Sequence, residues 1–337
     1  MSRFTRIFII VLLGLNSLIF SSCSGGNNAQ GPLFVISEKG KFGFMDSTGK
    51  IIIPCEYEDA REFADDLALV RVRGLYGYIS SSGSVKIDFK YMSAWSFSEG
   101  FAQVQSGVKR KFLNTEGDDV FRNLYDNARS FKEGMAAVES NSKWGFINKD
   151  GLLLIKPNFD YVSSFYQGLA VAMKDGKFGF IDKSGNAALP FQYEDANDFS
   201  SDSLAAVKRG NSWGIIDRGG KMIFDPIYKN ALGMTDGLAA VQFAPSFTDS
   251  SSLWGYIDPK ANVIIEGQFE QVSLFSEGLA AVRKGNKWGY ITPSGNFAIS
   301  PQFDFAEPFR GGYAKVMDGG KLGYVRKDGS FLREPQR

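Results

Sequence analysis

Apolar and polar positions along this chain alternate in short runs, and the runs come back in the same order. "GLAAVRK" (278–284) is echoed by "GLAAVQF" (237–243), "GMAAVES" (134–140) and "GFAQVQS" (100–106). Its alternating apolar residues predict a strand. "KWGYIT" (287–292), echoed by "LYGYIS" (75–80) and "LWGYID" (253–258), repeats an apolar residue at every second position and predicts a second strand with one buried face. Turns such as "KGN" and "RGN" join the two, so each pair forms a hairpin. A turn closed by glycine follows, at Gly49, Gly83, Gly117, Gly151, Gly185, Gly220, Gly295 and Gly329, with Ala261 as the exception. The form D-x-x-G or N-x-x-G fits a type I turn ending in a residue at positive φ. A short third strand comes next, as in "KIIIP" (50–54) and "KMIFDP" (221–226), often ended by proline.

The last part of each unit reads "FDFAEPF" (303–309), "YEDAREF" (57–63), "YDNARSF" (125–131) or "YEDANDF" (193–199). Apolar residues fall there at every third position, which suits a helical turn or irregular crossover whose aromatic ends plug the core. A short inner strand is the competing reading.

The units are strictly spaced. Gly43, Gly77, Lys111, Gly145, Gly179, Gly214, Gly255, Gly289 and Gly323 occupy one equivalent position, with steps of 34, 34, 34, 34, 35, 41, 34 and 34. A period near 34 also occurs in helical hairpin repeats. Here glycines stand where a helix would need its middle. One unit cannot bury both its aromatics and its strand face, whereas stacked units cover one another. The fold expected is therefore all-β: tandem antiparallel meanders in an open solenoid or spiral, with a β-propeller of about eight blades as the alternative. Nine hairpin sets against eight crossovers favour the open form.

"KWGFINKDG", "SWGIIDRGG" and "KWGYITPSG", with P-x-[FY]-[DE] and F-x-x-G-[LM]-A-x-V, resemble the WG-repeat (KWG-repeat) family of bacterial proteins over residues 33–332. The resemblance implies an all-β repeat protein, frequently exported. It brings no agreed activity and no functional residues. The hairpin wording is also similar to cell-wall-binding choline repeats, which use shorter units with more exposed aromatics.

Length and composition narrow the rest. The chain has 337 residues, with 38 Lys and Arg against 37 Asp and Glu. No charge excess advertises a nucleic acid. Aromatics make up 14%, and histidine is absent. That absence removes Ser-His-Asp and Cys-His nucleophile activation and every histidine-containing metal site. Arg3 and Arg6 precede an apolar stretch, Ile7 to Phe20, too short to span a bilayer comfortably. "FSSC" (20–23) then resembles a bacterial lipobox, which implies lipidation at Cys23. Residues 1–22 thus read as a lipoprotein signal peptide, 23–32 as a flexible Gly/Asn-rich tether and 33–337 as the repeat domain. Cys55 is left without an intrachain partner.

Departures from the repeat are the places to look for chemistry. In the third unit, "KRKFLN" (109–114) puts Arg110 and Lys111 where the others carry an aromatic and glycine, which points to a loosened or more exposed hairpin. At 202–203, Asp-Ser replaces Glu-Gly. The sixth unit inserts seven residues within "QFAPSFTDSSSLWG" (242–255) and so exposes Phe243, Phe247 and Asp249. Trp95, in "YMSAWSF", stands in a slot that is small or polar in most siblings. These four are the candidate ligand or partner contacts. Acidic clusters lack EF-hand spacing, and no Walker loop, G-x-G-x-x-G or G-x-S-x-G elbow appears. No catalytic residue, metal site or cofactor is expected. The expected function is a non-catalytic, envelope-anchored interaction module for a protein partner, held to the membrane by its N-terminal lipid alone. A glycan or cell-wall binder is the alternative.

Overall fold

The structure is a computed structural model that describes residues 31–244 and 252–334. Among the described residues there is no helix, and the strands form nine small antiparallel sheets in chain order. The first holds β1 (Phe34–Glu38), β2 (Lys41–Met45) and β3 (Ile51–Tyr57). The second adds an inner strand: β4 (Asp59–Ala60), β5 (Leu67–Val72), β6 (Leu75–Ser80) and β7 (Val85–Tyr91). The third keeps two strands, β8 (Ala102–Ser106) and β9 (Lys109–Leu113). The fourth returns to four, β10 (Asn127–Ala128), β11 (Met135–Ser140), β12 (Lys143–Asn148) and β13 (Leu153–Phe159), and the remaining five repeat that order.

The hairpins fall where the alternation places them. Ala136 pairs with Ile147 and Val138 with Gly145 across β11 and β12. The last part of the unit differs from the helical reading. Its two residues at β4 or β10 pair as a short inner strand, and an irregular stretch follows. The aromatic plug is present nonetheless: Phe131, Phe165 and Phe309 are fully buried. Their rings meet those of the preceding WG strand, as Phe146 does with Phe165 at 4.6 Å and Tyr290 with Phe309 at 4.7 Å. Such pairs add to the area term of burial. The prolines differ too. Pro54 and Pro157 lie inside β3 and β13 and do not end them. These are outer edge strands, where a missing N–H costs no ladder bond and discourages pairing with another chain.

The glycine of the WG pair has a packing cause. β13 shifts register against β12 around Gly145. A Cβ there would lie 2.3 Å from the Ile155 carbonyl oxygen and 2.7 Å from Pro157 N. The turn glycines join neighbouring sheets: Gly185, at φ +82°, sits over Ile155 of the sheet before it. Ala261 takes the same left-handed conformation at φ 65°.

The two ends of the array meet. Phe34 packs edge-on against Tyr313 and Tyr324 at 5.2 and 5.4 Å. Arg333 pairs with Glu38, and Gly49 lies beside the Leu332 carbonyl. Of the two forms open from the sequence, the ring describes the array, with nine sheets in place of about eight. Among the described residues the first sheet has no inner strand, and Glu62 of the second sheet reaches across to it. Its carboxylate accepts from Val35 N at 3.2 Å and from Tyr324 Oη at 2.9 Å, and it pairs with Lys315 Nζ at 3.0 Å. Among the described residues an uneven count of hairpins and crossovers therefore closes through these contacts.

Candidate functional site

Two sets of side chains tie each sheet to the next, and the functional surface is what they leave over. At one end, the lysine before the WG aromatic reaches an acid seventeen residues on, in the following sheet. Lys143 with Asp160, Lys177 with Glu194 and Lys287 with Asp304 are such pairs. The same acid caps its own sheet's hairpin turn, as Glu194 does by accepting from Gly210 N at 3.1 Å and Asp304 from Gly319 N. The Lys177 ammonium holds the Glu194 carboxyl below its ordinary range, and backbone N–H donation helps.

At the other end, the acid of the E-G turn latches onto the next sheet. Glu99 accepts from Gly134 N at 2.9 Å and pairs with Lys149 at 3.2 Å. Glu133 does the same with Gly168 N and Lys183, at 2.9 and 3.2 Å. Burial pushes the Glu133 carboxyl up, but the Gly168 N–H and the Lys183 ammonium outweigh it and leave the group lowered. Between the fifth and sixth sheets Gln167 replaces the acid. Its side-chain oxygen accepts from Ser203 Oγ at 3.1 Å, and its carbonyl from Arg218 Nη2 at 2.8 Å.

Charged groups from non-adjacent sheets also gather on the axis. Lys132 of the fourth sheet feels Asp198 of the sixth, Arg310 of the ninth and Glu99 beside the third. Asp198 is open to solvent yet flanked by enough protein that burial raises its carboxyl, against the Ser163 hydroxyl and the Lys132 and Arg129 cations. Burial likewise lowers the Lys132 ammonium, and Asp198 and Glu133 oppose this. The two signs are mixed here, so the axis has no single-charge field. Among the described residues no group of three or more Cys, Asp or Glu is placed to hold a metal ion.

Trp95 proves to be half-buried, with the Arg110 guanidinium over its ring at 3.9 Å. The fourth sheet has the same pair with its members exchanged: Arg129, at Trp95's position, lies 5.1 Å from Trp144, at Arg110's position. Trp95 and Arg110 thus fill one another's usual places. Phe243 packs edge-on to Tyr228 at 5.9 Å and borders a hydrophobic cluster with Trp213. It lies far along the ring from Trp95, in the seventh sheet's neighbourhood and not the third's. Cys23, Phe247 and Asp249 lie outside the described residues.

The third sheet is where the cap fails: Met92 stands where most siblings carry the capping acid, while the latches persist, Asp65 accepting from Gly100 N at 2.6 Å and Glu99 from Gly134 N at 2.9 Å. Its hairpin is intact, with Ala102 opposite Leu113 and Ser106 opposite Lys109, so it is not loosened. What is missing is the flanking strands. Lys111 stands where glycine lets the outer strand close in, and residues 118–126 meet β9 only at isolated bridges, Arg110 with Tyr125 and Leu113 with Asp119. A cleft of about 700 Å3 results, lined by Lys90, Tyr91, Gln105, Lys111, Asp118 and Asp119 among others. Lys111 pairs with Asp119 across it at 2.7 Å. Met92 (75% exposed) and Val108 (90%) follow its lining residues Tyr91 and Gly107, and Leu124 (52%) stands out in solvent on the outer segment. The sequence reading missed these three. The signal was present in Leu75 and Met92, seventeen apart, where five other boundaries carry lysine and an acid.

The WG containing repeat matches the chain at residues 42–76, 76–107, 124–144, 144–178, 178–213, 213–243, 254–288 and 288–321. It breaks off at 107 and resumes at 124, on either side of the third sheet's irregular outer segment. No curated protein matches the chain. Among solved structures, a eukaryotic initiation factor is similar at a TM-score of 0.64 and 12% identity, over 90% of this chain and 95% of that one. The dihydro-heme d1 dehydrogenase NirN in complex with DHE is similar at a TM-score of 0.51 and 13% identity, over 92% and 74%. At these identities the likeness is one of fold, and these propeller-like neighbours agree with the ring.

Proposed function

The chain belongs to the WG-containing repeat family, and from that premise we propose that it is a non-catalytic, envelope-anchored module that binds a protein partner. Lipidation at Cys23 would supply the anchor and residues 23–32 the tether. The observation that supports the reading is how the repeat disposes of its side chains. Trp144, Trp213 and Trp254 are only 8–9% exposed, so the conspicuous rings hold sheets together. The acids and lysines at most sheet boundaries are taken up in caps and latches. Apolar side chains remain in solvent on the outer strands and turns, among them Leu152, Ile227 and Val263. Exposed apolar surface of this kind suits protein contact better than polysaccharide. A glycan binder would need open ring faces, and Trp95 has one face under Arg110.

Two experiments test the parts separately. Labelled palmitate should enter the wild type and not Cys23→Ala. Immobilised protein offered an envelope extract and a panel of cell-wall polysaccharides should retain a discrete protein and no polysaccharide. Retention of polysaccharide that is lost in Trp95→Ala would establish the glycan reading instead.

A further inference from the structure

We propose that the third sheet is the docking site on this ring, and that its occupant is a peptide segment of a partner protein with an apolar side chain between charged neighbours. The inference rests on the protein-binding reading and gives it a location.

Independent departures from the repeat coincide there. Met92 replaces the acid that caps the hairpin turn in most siblings, and Val108 lies in that same turn. In the second sheet the equivalent acid, Glu58, accepts from Gly74 N at 2.9 Å, the counterpart of Val108 N, so Met92 takes the place of a group that reaches this turn. Leu124 precedes Tyr125, whose backbone bridges to Arg110 on the far side of the hairpin. Met92 and Val108 therefore share one end of the sheet, beside the Lys109–Asp126 ion pair, and Leu124 stands on its outer segment. A flexible methionine among them can mould to an incoming side chain.

The cleft beside them defines the occupant's chemistry. It adjoins Met92 and Val108 through Tyr91–Met92 and Gly107–Val108. Lys111 and Asp119 neutralise one another, which leaves an exposed Lys90 and an exposed Asp118 without an ion-pair partner among the described residues. Charges of both signs on either side of an apolar contact complement a peptide carrying both signs. A saccharide is disfavoured because the nearby rings offer little open face: Tyr91 is 6% exposed and half-buried Trp95 has one face under Arg110.

A photo-crosslinking residue placed in the full chain at Val108, and separately in the corresponding turns of other sheets at Arg73, Asn141 and Asp175, tests this in the producing cells. The expected result is a protein adduct of discrete mass from position 108 alone. The adduct should fall at least about five-fold when Met92→Asp and Leu124→Asn are added, with an unchanged thermal midpoint showing that the variant still folds. Mass spectrometry of the adduct should place the crosslink in a segment with an apolar residue between acidic and basic ones. Adducts from the other turns but not from 108 would overturn the site and leave the protein-binding reading intact. No protein adduct from any position would overturn both. A protease-resistant adduct that glycan-degrading enzymes remove would replace the peptide by a saccharide.

Discussion

The Tyr324 hydroxyl donates to the Val35 carbonyl oxygen at 2.8 Å, across 289 residues of sequence. The same tyrosine bond joins neighbouring sheets inside the ring, from Tyr290 to the Glu307 carbonyl at 2.7 Å and from Tyr256 to Ser273 at 2.7 Å. The junction between the chain's two ends is thus built like any other, with Glu62 added. Tyr324→Phe should cost about 2 kcal/mol, because one acceptor is charged, and Tyr290→Phe about 1 kcal/mol. Thermal unfolding of the two variants checks the order. An equal loss would mean that Glu62 contributes nothing at the junction.

Exchange of Trp95 and Arg110 gives a sharper test of the mortar role. Trp144→Ala should destabilise by about 3–5 kcal/mol, as for other buried indoles. Trp95→Arg and Arg110→Trp should each destabilise. The double variant recreates the orientation of the fourth sheet and should recover at least about 1 kcal/mol relative to the sum of the singles. Additive losses in urea titrations would show that the two side chains do not act as a pair.

Glycine at the WG position governs whether an outer strand can close. Gly145→Ala forces a Cβ against backbone atoms and should cost about 1–3 kcal/mol or more. The reverse change, Lys111→Gly, should let residues 118–125 approach β9. Their amides should then exchange more slowly with solvent. Unchanged exchange there would assign the missing strand to some cause other than Lys111.

Acid should weaken the latches. The Glu133 and Glu277 carboxyls are both raised by burial but lowered overall by backbone N–H donation and by Lys183 and Lys327. A folded-state value below the unfolded one means that their stabilisation is complete above the ordinary glutamate value, about 4.3, and is lost as pH falls below it. Melting curves between pH 6 and about 2 should show this loss in the wild type, and Glu133→Gln should show less of it. At the junction Lys315 has the opposite sign. Burial lowers its ammonium, Glu62 and Glu307 more than reverse that, and its contribution is lost only as pH rises above the ordinary lysine range.

Much of the fold was legible because a strand's periodicity is a local property. Lys143 to Asn148 reads as a strand from its own six residues, and the register with β11 follows from the turn; the expected single buried face is two, since consecutive residues Trp144 to Ile147 are all buried between neighbouring sheets. The inner segment was harder. Asp59 and Ala60 make a strand only because β5 lies beside them, and two residues carry no period. Closure was not legible from a count of parts, since it depends on Glu62 reaching Val35 and Tyr324 from another sheet. Trp95 was visible as an anomaly, but Arg110, fifteen residues later, was needed to see that the pair had exchanged places. Met92 and Val108 escaped notice because an apolar residue in a turn looks unremarkable until the acid it displaces is known.

A closed circle fixes how many units the chain holds. A spiral gains or sheds a copy at either tip and leaves its other interfaces untouched; here one more copy would force every pair of neighbours to a new angle, and one fewer would leave two apolar faces facing a gap. Novelty on such a frame must therefore come from drift within a copy, and the third unit, whose lysine, methionine and tryptophan depart from its eight siblings while the circle stays shut, is what that route produces.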